Sequence, residues 1–136
     1  MISGFGGTLM RMVAAAGLVL GAMAPAMALD PTGIWEPDNK ESRYEFTYCG
    51  DNGDRLCAEL IWIREDVQDA RNTKYLNTYI FSDARQIAGN QWKGNVSLEG
   101  FNIDGTLTMR NPDEMALNAC ALFVFCEKIH LTKVTE

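Results

Sequence analysis

The four cysteines are the residues whose type and spacing indicate the clearest chemistry. Cys49 and Cys57 form one short spacing, Cys120 and Cys126 form another, and each pair surrounds a probable turn. An even number of cysteines in a small exported chain favours a disulfide framework, although four cysteines permit three pairings. We expect the two local pairs, because closing a short loop costs the least chain entropy. A zinc site is the alternative, but the sequence has neither C-x2-C pairs nor a well-placed second kind of ligand.

The other residues that could do chemistry form no recognisable constellation. The one histidine, His130, stands at an alternating polar position near the C terminus. No serine or cysteine motif would make it a catalytic base, so we interpret it as an exposed strand residue. The acidic pairs Glu36 with Asp38 and Glu65 with Asp66 could do acid–base work or bind calcium, but they lie in polar segments typical of turns. The sequence therefore predicts a protein that is not an enzyme and uses no cofactor or metal.

The N-terminal segment has the pattern of an export signal. Arg11 precedes an uncharged segment, residues 12–29, and Ala26-Met27-Ala28 supplies a small-x-small cleavage site. We interpret residues 1–28 as a cleaved signal peptide and residues 29–136 as a single domain. A retained membrane anchor is the alternative, because about 18 uncharged residues barely span about 30 Å of hydrocarbon. The prediction is a periplasmic or secreted protein without a stable membrane span after cleavage.

The charge of the chain bears on its partners. The formal net charge is −6 at pH 7, and the basic residues are scattered singly. Binding to phosphate backbones depends on clustered lysine and arginine, so nucleic acid is excluded as a partner. We interpret the negative charge as a solubility feature.

A β-hairpin is predicted around Cys49 and Cys57 by the alternation of apolar and polar residues. The residues of its apolar face are Tyr44, Phe46 and Tyr48, then Ala58, Leu60 and Trp62. A two-residue turn at Asn52-Gly53, a strong hairpin signal, would put Phe46 opposite Glu59 and mix the two faces. A turn longer by one residue restores the match. It pairs Tyr44 with Trp62, Phe46 with Leu60, Tyr48 with Ala58, and Cys49 with Cys57 at a separation that a disulfide can bridge.

The rest of the chain reads as further short strands. Alternation predicts strands at residues 91–99 and 128–134, a bulge or turn at Glu99-Gly100 and another turn at Asp104-Gly105. Residues 66–76 could form one short helix with Asp66 as its N-cap, although asparagine and threonine weaken it. The fold class predicted from these elements is all-β: an antiparallel sheet that curls into a small barrel or half-barrel with at most one short helix.

Aromatic residues on the predicted inward faces are the candidate ligand-binding residues. They are Trp35, Tyr44, Phe46, Trp62 and Trp92, with Tyr48 beside them. This set could line a cavity for an apolar ligand. It could also fill the barrel, because each ring buries about 150 to 250 Å² and an eight-stranded interior is only just wide enough for side chains. We expect a filled or narrowly open core.

Short segments in a fixed order carry a family resemblance. They are Gly33-Ile34-Trp35, residues 43–49, residues 56–62, Asp69-Ala70-Arg71-Asn72, Trp92-Lys93-Gly94, Asp104-Gly105-Thr106-Leu107 and Leu131-Thr132-Lys133-Val134. In these the chain resembles the bacterial domain-of-unknown-function 2147 family, exported proteins similar in fold to lipocalins. It lacks that family's Pro-x-x-Gly-Lys-x-Tyr hairpin, and it has Leu131 where a tryptophan is usual. The resemblance implies export and a lipocalin-like or calycin-like barrel, and it brings no established activity.

Three functions follow, in order of preference. The first is a non-enzymatic envelope protein that binds a small apolar ligand at the mouth or in the interior of its barrel. The second is a disulfide-stapled interaction module that docks on another envelope protein through an exposed face or through residues 119–125. That uncharged segment is either a buried last crossover or an exposed patch. An enzyme comes third, for want of a catalytic constellation.

Overall fold

In a computed structural model, which describes residues 29–98, 100–121 and 125–135, the chain forms a closed β-barrel. The strands are β1 (Gly33–Pro37), β2 (Ser42–Cys49), β3 (Arg55–Ile63), β4 (Tyr79–Ala88), β5 (Gln91–Leu98), β6 (Phe101–Asn111), β7 (Glu114–Ala121) and β8 (Phe125–Lys133). Each strand pairs antiparallel with the next, and β8 pairs with β1. The predicted all-β barrel is confirmed, and it is a full barrel rather than a half-barrel. The predicted signal peptide, residues 1–28, lies outside the described residues.

The largest core side chains fill the interior of the barrel. We call the end that carries the β2–β3, β4–β5 and β6–β7 connections the closed end. The side chains that are no more than 2 % exposed include Trp35, Trp92, Phe46, Phe81, Leu56, Leu107, Met109 and Met115. Trp35 packs edge-on against Phe46 with ring centroids 6.5 Å apart, and its indole Nε1–H donates to the Pro31 carbonyl at 2.9 Å. The core is therefore tightly packed, and the buried indole of Trp35 has a hydrogen-bond partner.

The β2–β3 hairpin has the predicted faces but a different register. Cys49 pairs with Arg55 rather than with Cys57, and Phe46 pairs with Ala58 rather than with Leu60. The predicted register was therefore wrong by two residues, and the connection is residues 50–54. Alternation repeats every two residues, so a shift of two leaves every side chain on its face, and the pattern does not distinguish the two registers. Gly50 and Gly53 both have positive φ values in this loop, and the Gly53 N–H donates to the Gly50 carbonyl at 3.1 Å.

A β-bulge places Trp62 on the outer face of the barrel, which corrects the predicted inward position. Tyr44 pairs with Leu60 and Arg43 pairs with Trp62, so Ile61 is an extra residue on β3. The extra residue reverses the alternation beyond it, and Ile63 takes the buried position instead. The Trp62 ring lies against the Arg43 guanidinium, 5.1 Å from the ring centroid.

Glycine at two facing positions allows strands to approach closely inside the barrel. The predicted turn at Asp104-Gly105 is wrong, because both residues lie within β6 and Gly105 pairs with Gly94 on β5. A Cβ on Gly105 would stand 2.5 Å from the Val96 Cγ2 atom. This glycine therefore makes room for core side chains and does not mark a turn. The predicted turn near Gly100 is confirmed, since Leu98 pairs with Phe101.

Two 3-10 turns replace the predicted helix over residues 66–76. They are Glu65–Val67 and Thr73–Tyr75, and Asp66 lies within the first turn rather than at an N-cap. The Asp69 carboxylate accepts hydrogen bonds from the backbone N–H groups of Arg71 and Asn72 at 2.8 and 2.9 Å. Aspartate and asparagine side chains that bind nearby backbone in this way compete with helical hydrogen bonds. The segment consequently folds as a compact loop.

Both predicted disulfides are present and leave no free cysteine. Cys49–Cys57 links diagonal positions of the β2–β3 hairpin with a Cα–Cα distance of 6.0 Å. Cys120–Cys126 links directly opposed residues of β7 and β8.

Reduction of the disulfides is expected to lower the melting temperature of the barrel markedly. The bridges span sequence separations of 8 and 6 residues, and loops of this length correspond to about 2 to 3 kcal/mol per bridge on the chain-entropy model. Two bridges are a large part of the roughly 5 to 15 kcal/mol that stabilises a typical domain. Circular dichroism melts with and without a phosphine reductant measure the effect. An unchanged melt, together with four titratable thiols in the untreated protein, would show that the bridges do not form.

Candidate functional site

The end of the barrel opposite the closed end leaves part of its inner face exposed, and we call this end the mouth. It carries the β1–β2, β3–β4, β5–β6 and β7–β8 connections. Along β6, Leu107 is fully buried, whereas Phe101, on the same face, is 70 % exposed. Along β8, exposure rises from 4 % at Leu131 through 37 % at Ile129 to 70 % at Phe125. The apolar interior of the barrel therefore continues to the mouth and meets solvent there.

One side of the mouth is an apolar strip on β6, β7 and β8, which we call the mouth wall. The register pairs Ala121 with Phe125, Ala119 with Glu127, and Leu117 with Ile129. Paired residues of an antiparallel sheet share a face, so these residues share the inner face with Leu117, which is buried. The members of the mouth wall are Phe101, Ile103, Ala121, Phe125, Glu127 and Ile129. Glu127 is its one ionisable side chain.

The other side of the mouth holds a cleft of about 220 Å³, which we call the mouth cleft. Strands β2, β3 and β4 form its floor, and the β3–β4 loop, residues 64–78, forms its outer side. The apolar lining residues are Tyr44, Leu60, Ile63, Val67, Tyr75 and Ile80, and the polar ones are Glu41, Ser42 and Asn72. The hydroxyl groups of Ser42 and Tyr44 lie 3.3 Å apart and form a hydrogen bond. The cleft thus combines apolar walls with a few polar groups, which is typical of small-molecule sites.

Hydrogen bonds hold the β3–β4 loop against the barrel. The Asn77 N–H donates to the Leu60 carbonyl at 2.7 Å, and the Leu60 N–H donates to the Thr78 carbonyl at 3.0 Å. Asn72 is fixed on both sides of its amide: its Oδ1 accepts from the Asp69 N–H at 2.9 Å, and its Nδ2 donates to the Val67 carbonyl at 2.8 Å. These contacts position Val67 and Asn72 in the mouth cleft. The segment Asp69-Ala70-Arg71-Asn72 noted in the sequence is therefore a structural element of this loop.

The charged groups beside the cleft are mostly paired. Arg64 Nη2 donates to the Asp66 carboxylate at 3.1 Å. Hydrogen bonding between these two side chains lowers the pKa of Asp66 and raises the pKa of Arg64. Arg64 also lies 4.0 Å from Glu41. Lys74 stacks on the ring of Tyr75 at 5.2 Å. Two of the three cations of the loop, Arg64 and Lys74, are thus engaged with neighbours, and Arg71 is the third.

The mouth cleft and the mouth wall face each other. Strand β3, in the floor of the cleft, and β7, in the centre of the wall, are four strands apart in a closed barrel of eight. Strands at that separation lie on opposite sides of a barrel.

The candidate ligand-binding residues divide into three groups. Trp35, Phe46 and Trp92 lie in the packed core, Tyr44 lines the mouth cleft, and Trp62 lies on the outer face. The mouth wall was not predicted as a site. Its signal was present in part, because Phe125 ends the uncharged segment 119–125 that we considered as an exposed patch. Residues 122–124 of that segment lie outside the described residues.

The other candidate groups lie away from the mouth interior. His130 is exposed and pairs with Ala116 on the outer face. Glu36 is in strand β1 rather than in a turn, and its carboxylate binds the Arg43 guanidinium at 3.1 Å. Among the residues placed by the structure, no group of three histidine, cysteine, aspartate or glutamate side chains could hold a metal ion. In the same part of the chain, no helix has the length and hydropathy needed to cross a membrane.

Comparison with known proteins gives no match to a family model, to a curated protein or to a solved structure. The fold and the mouth are therefore the basis for assigning a function.

Proposed function

We propose that this protein is an exported, non-enzymatic binding protein that takes a small apolar ligand at the mouth of its barrel. The observation that carries the proposal is the apolar inner face left open at the mouth, where Phe101 and Phe125 are each 70 % exposed opposite an apolar cleft. Exposed phenylalanine side chains at the mouth gain free energy when a ligand covers them, at about 25 cal/mol per Å² of apolar area.

The size of the site limits the ligand. The mouth cleft holds about 220 Å³, below the roughly 300 to 1,000 Å³ of pockets for drug-sized ligands. The packed core prevents deeper insertion, because Trp35 and Trp92 occupy the interior of the barrel. The proposed ligand is therefore short, with one end in the cleft and the remainder against the mouth wall.

The two disulfides support the exported location. Structural disulfides persist in oxidising compartments such as the periplasm. The segment that we interpret as a signal peptide and the resemblance to the exported domain-of-unknown-function 2147 family favour the same location. We propose membership of that family on the segments given above.

Removal of the two mouth phenylalanines is expected to weaken ligand binding at least about tenfold, since two large apolar contacts are lost. The test is a titration of the neutral fluorophore N-phenyl-1-naphthylamine into the wild type and into a Phe101→Ser/Phe125→Ser double variant. Both side chains are exposed, so the stability of the fold should change little. The matched control is Ile87→Ser, which removes an exposed apolar residue from the closed end.

Equal affinity of the wild type and the double variant for the fluorophore would place binding elsewhere. If the fluorophore shows no fluorescence increase with the wild type, and calorimetry detects no octanol binding to the wild type, a binding function at the mouth is contradicted.

A second candidate is an interaction module of the cell envelope, and the outer face of β2 and β3 favours it. Trp62 is 39 % exposed there and stacks with Arg43, and tryptophan and arginine are typical of interface hot spots. Cross-linking in the envelope, in the wild type and in a Trp62→Ala variant, tests this candidate. One dominant partner that is lost with Trp62→Ala would favour the interaction module over the ligand-binding protein.

A further inference from the structure

We propose that the ligand is an amphiphile with a cationic, amine-type head, and that the Glu127 carboxylate binds this head. The inference rests on the proposed binding function and specifies the chemical class of its ligand.

Glu127 breaks the apolar pattern of the mouth wall. The inward positions of β8 are Phe125, Glu127, Ile129 and Leu131, so the carboxylate stands between two apolar side chains on its own strand. Across the barrel sheet it is paired with Ala119, which belongs to the buried core. β1 pairs with β8 only at residues 131–133, so at Glu127 the strand is paired with β7 alone, and an inward charge at this position also protects the open edge.

Glu127 is available to a ligand. It is exposed, and it has no hydrogen bond or ion pair with any other residue that the structure describes. The opposite β3–β4 loop has three cations, of which Arg64 and Lys74 are engaged with Asp66 and Tyr75 and Arg71 is the third. Lys40 lies in the β1–β2 connection. Glu127 has no ion pair with any of these cations in the structure, and it lies beside an apolar surface.

The sign of that charge selects the head of the ligand. When an apolar chain covers the mouth wall, water is displaced from the carboxylate, and the lost hydration must be replaced by a partner. An ammonium group replaces it with a charge-assisted hydrogen bond. A carboxylate head would instead meet a like charge at Glu127. Fatty-acid-type ligands are therefore disfavoured.

The test compares octylamine, octanol and octanoate, which share one chain and differ in the head, by calorimetric titration at pH 7 below their micellar concentrations. We expect octylamine to bind about tenfold or more tightly than octanoate, with octanol between them. Glu127→Gln should remove most of the octylamine advantage and leave octanol affinity unchanged. The control Glu45→Gln removes the same charge from an exposed position of β2 opposite Glu59, and it should retain the preference.

Each outcome of this comparison is decisive. The assignment of the head group would be overturned if octanoate bound as well as octylamine, or if the preference for octylamine survived Glu127→Gln. In either case, binding of octanol would still support the proposed binding function. A preference that falls equally in Glu45→Gln would show that only the net charge attracts amines, and the role of Glu127 would be wrong. Failure of all three compounds to bind would overturn the proposed function itself.

Discussion

Replacing Trp35 with alanine is expected to destabilise the barrel by about 3 to 5 kcal/mol, the range for deletion of a large buried aromatic side chain. Trp35 is fully buried, packs against Phe46 and donates a hydrogen bond to the Pro31 carbonyl. The substitution leaves a cavity and an unpaired carbonyl. Urea unfolding followed by circular dichroism measures the loss of stability. If the Trp35→Ala variant does not fold, the Trp35→Phe variant, which keeps a ring, is measured instead, and we expect it to lose less stability.

Trp62→Ala is the matched comparison. The sequence pattern predicts inward positions for both Trp35 and Trp62, whereas in the structure Trp35 is buried and Trp62 lies on the outer face. Trp62 lies outside the barrel, where its stacking with Arg43 is worth about 0.5 to 1 kcal/mol. We expect a loss near about 1 kcal/mol. If both tryptophan variants lost the same stability, the bulge on β3 and the outward position of Trp62 would be wrong.

Replacing Gly94 with alanine is expected to destabilise the barrel by about 3 kcal/mol, at the upper end of overpacking costs. A Cβ on Gly94 would lie 2.6 Å from the Ser82 carbonyl oxygen and 2.7 Å from the Ala84 Cα. Asp83, a bulge residue with φ of 52°, brings this part of β4 against β5. Because the clash is with backbone rather than with a flexible side chain, the strands must separate to relieve it.

Gly89→Ala is the control for this substitution. A Cβ on Gly89 has no heavy atom within 4 Å, and its φ lies outside the left-handed region. Its stability in the same urea experiment should equal that of the wild type within about 0.5 kcal/mol. A Gly94→Ala variant as stable as Gly89→Ala would mean that β4 and β5 do not approach as closely as the structure places them.

The sequence was sufficient for the fold class and for the cysteine pairing, because both depend on short-range patterns. Alternation identifies strands and the inward face of each strand, and short cysteine spacings identify local bridges. The predicted register of the β2–β3 hairpin was wrong because alternation is unchanged by a shift of two residues. The Asp104-Gly105 turn was wrong because glycine at position 105 is required by the packing of Val96 rather than by the backbone.

The candidate site was less predictable, because it depends on where each strand ends relative to its neighbours. Three of the five aromatic candidates are core residues, and a single bulge residue, Ile61, moved Trp62 to the outside. Only Tyr44 contacts the mouth cleft. The exposure of Phe101 and Phe125 follows from closure of the barrel and from strand stagger, which alternation does not contain.

Nuclear Overhauser contacts between bound octanol and the protein test the mouth site most directly, because octanol has no charge and its contacts do not depend on Glu127. We predict contacts from the octanol chain to Tyr44, Phe101 and Phe125, and none to the rings of Trp35 and Trp92, which are buried in the packed core. Contacts to Trp35 or Trp92, contacts confined to the outer face near Trp62, or the absence of any contact would contradict a binding site at the mouth.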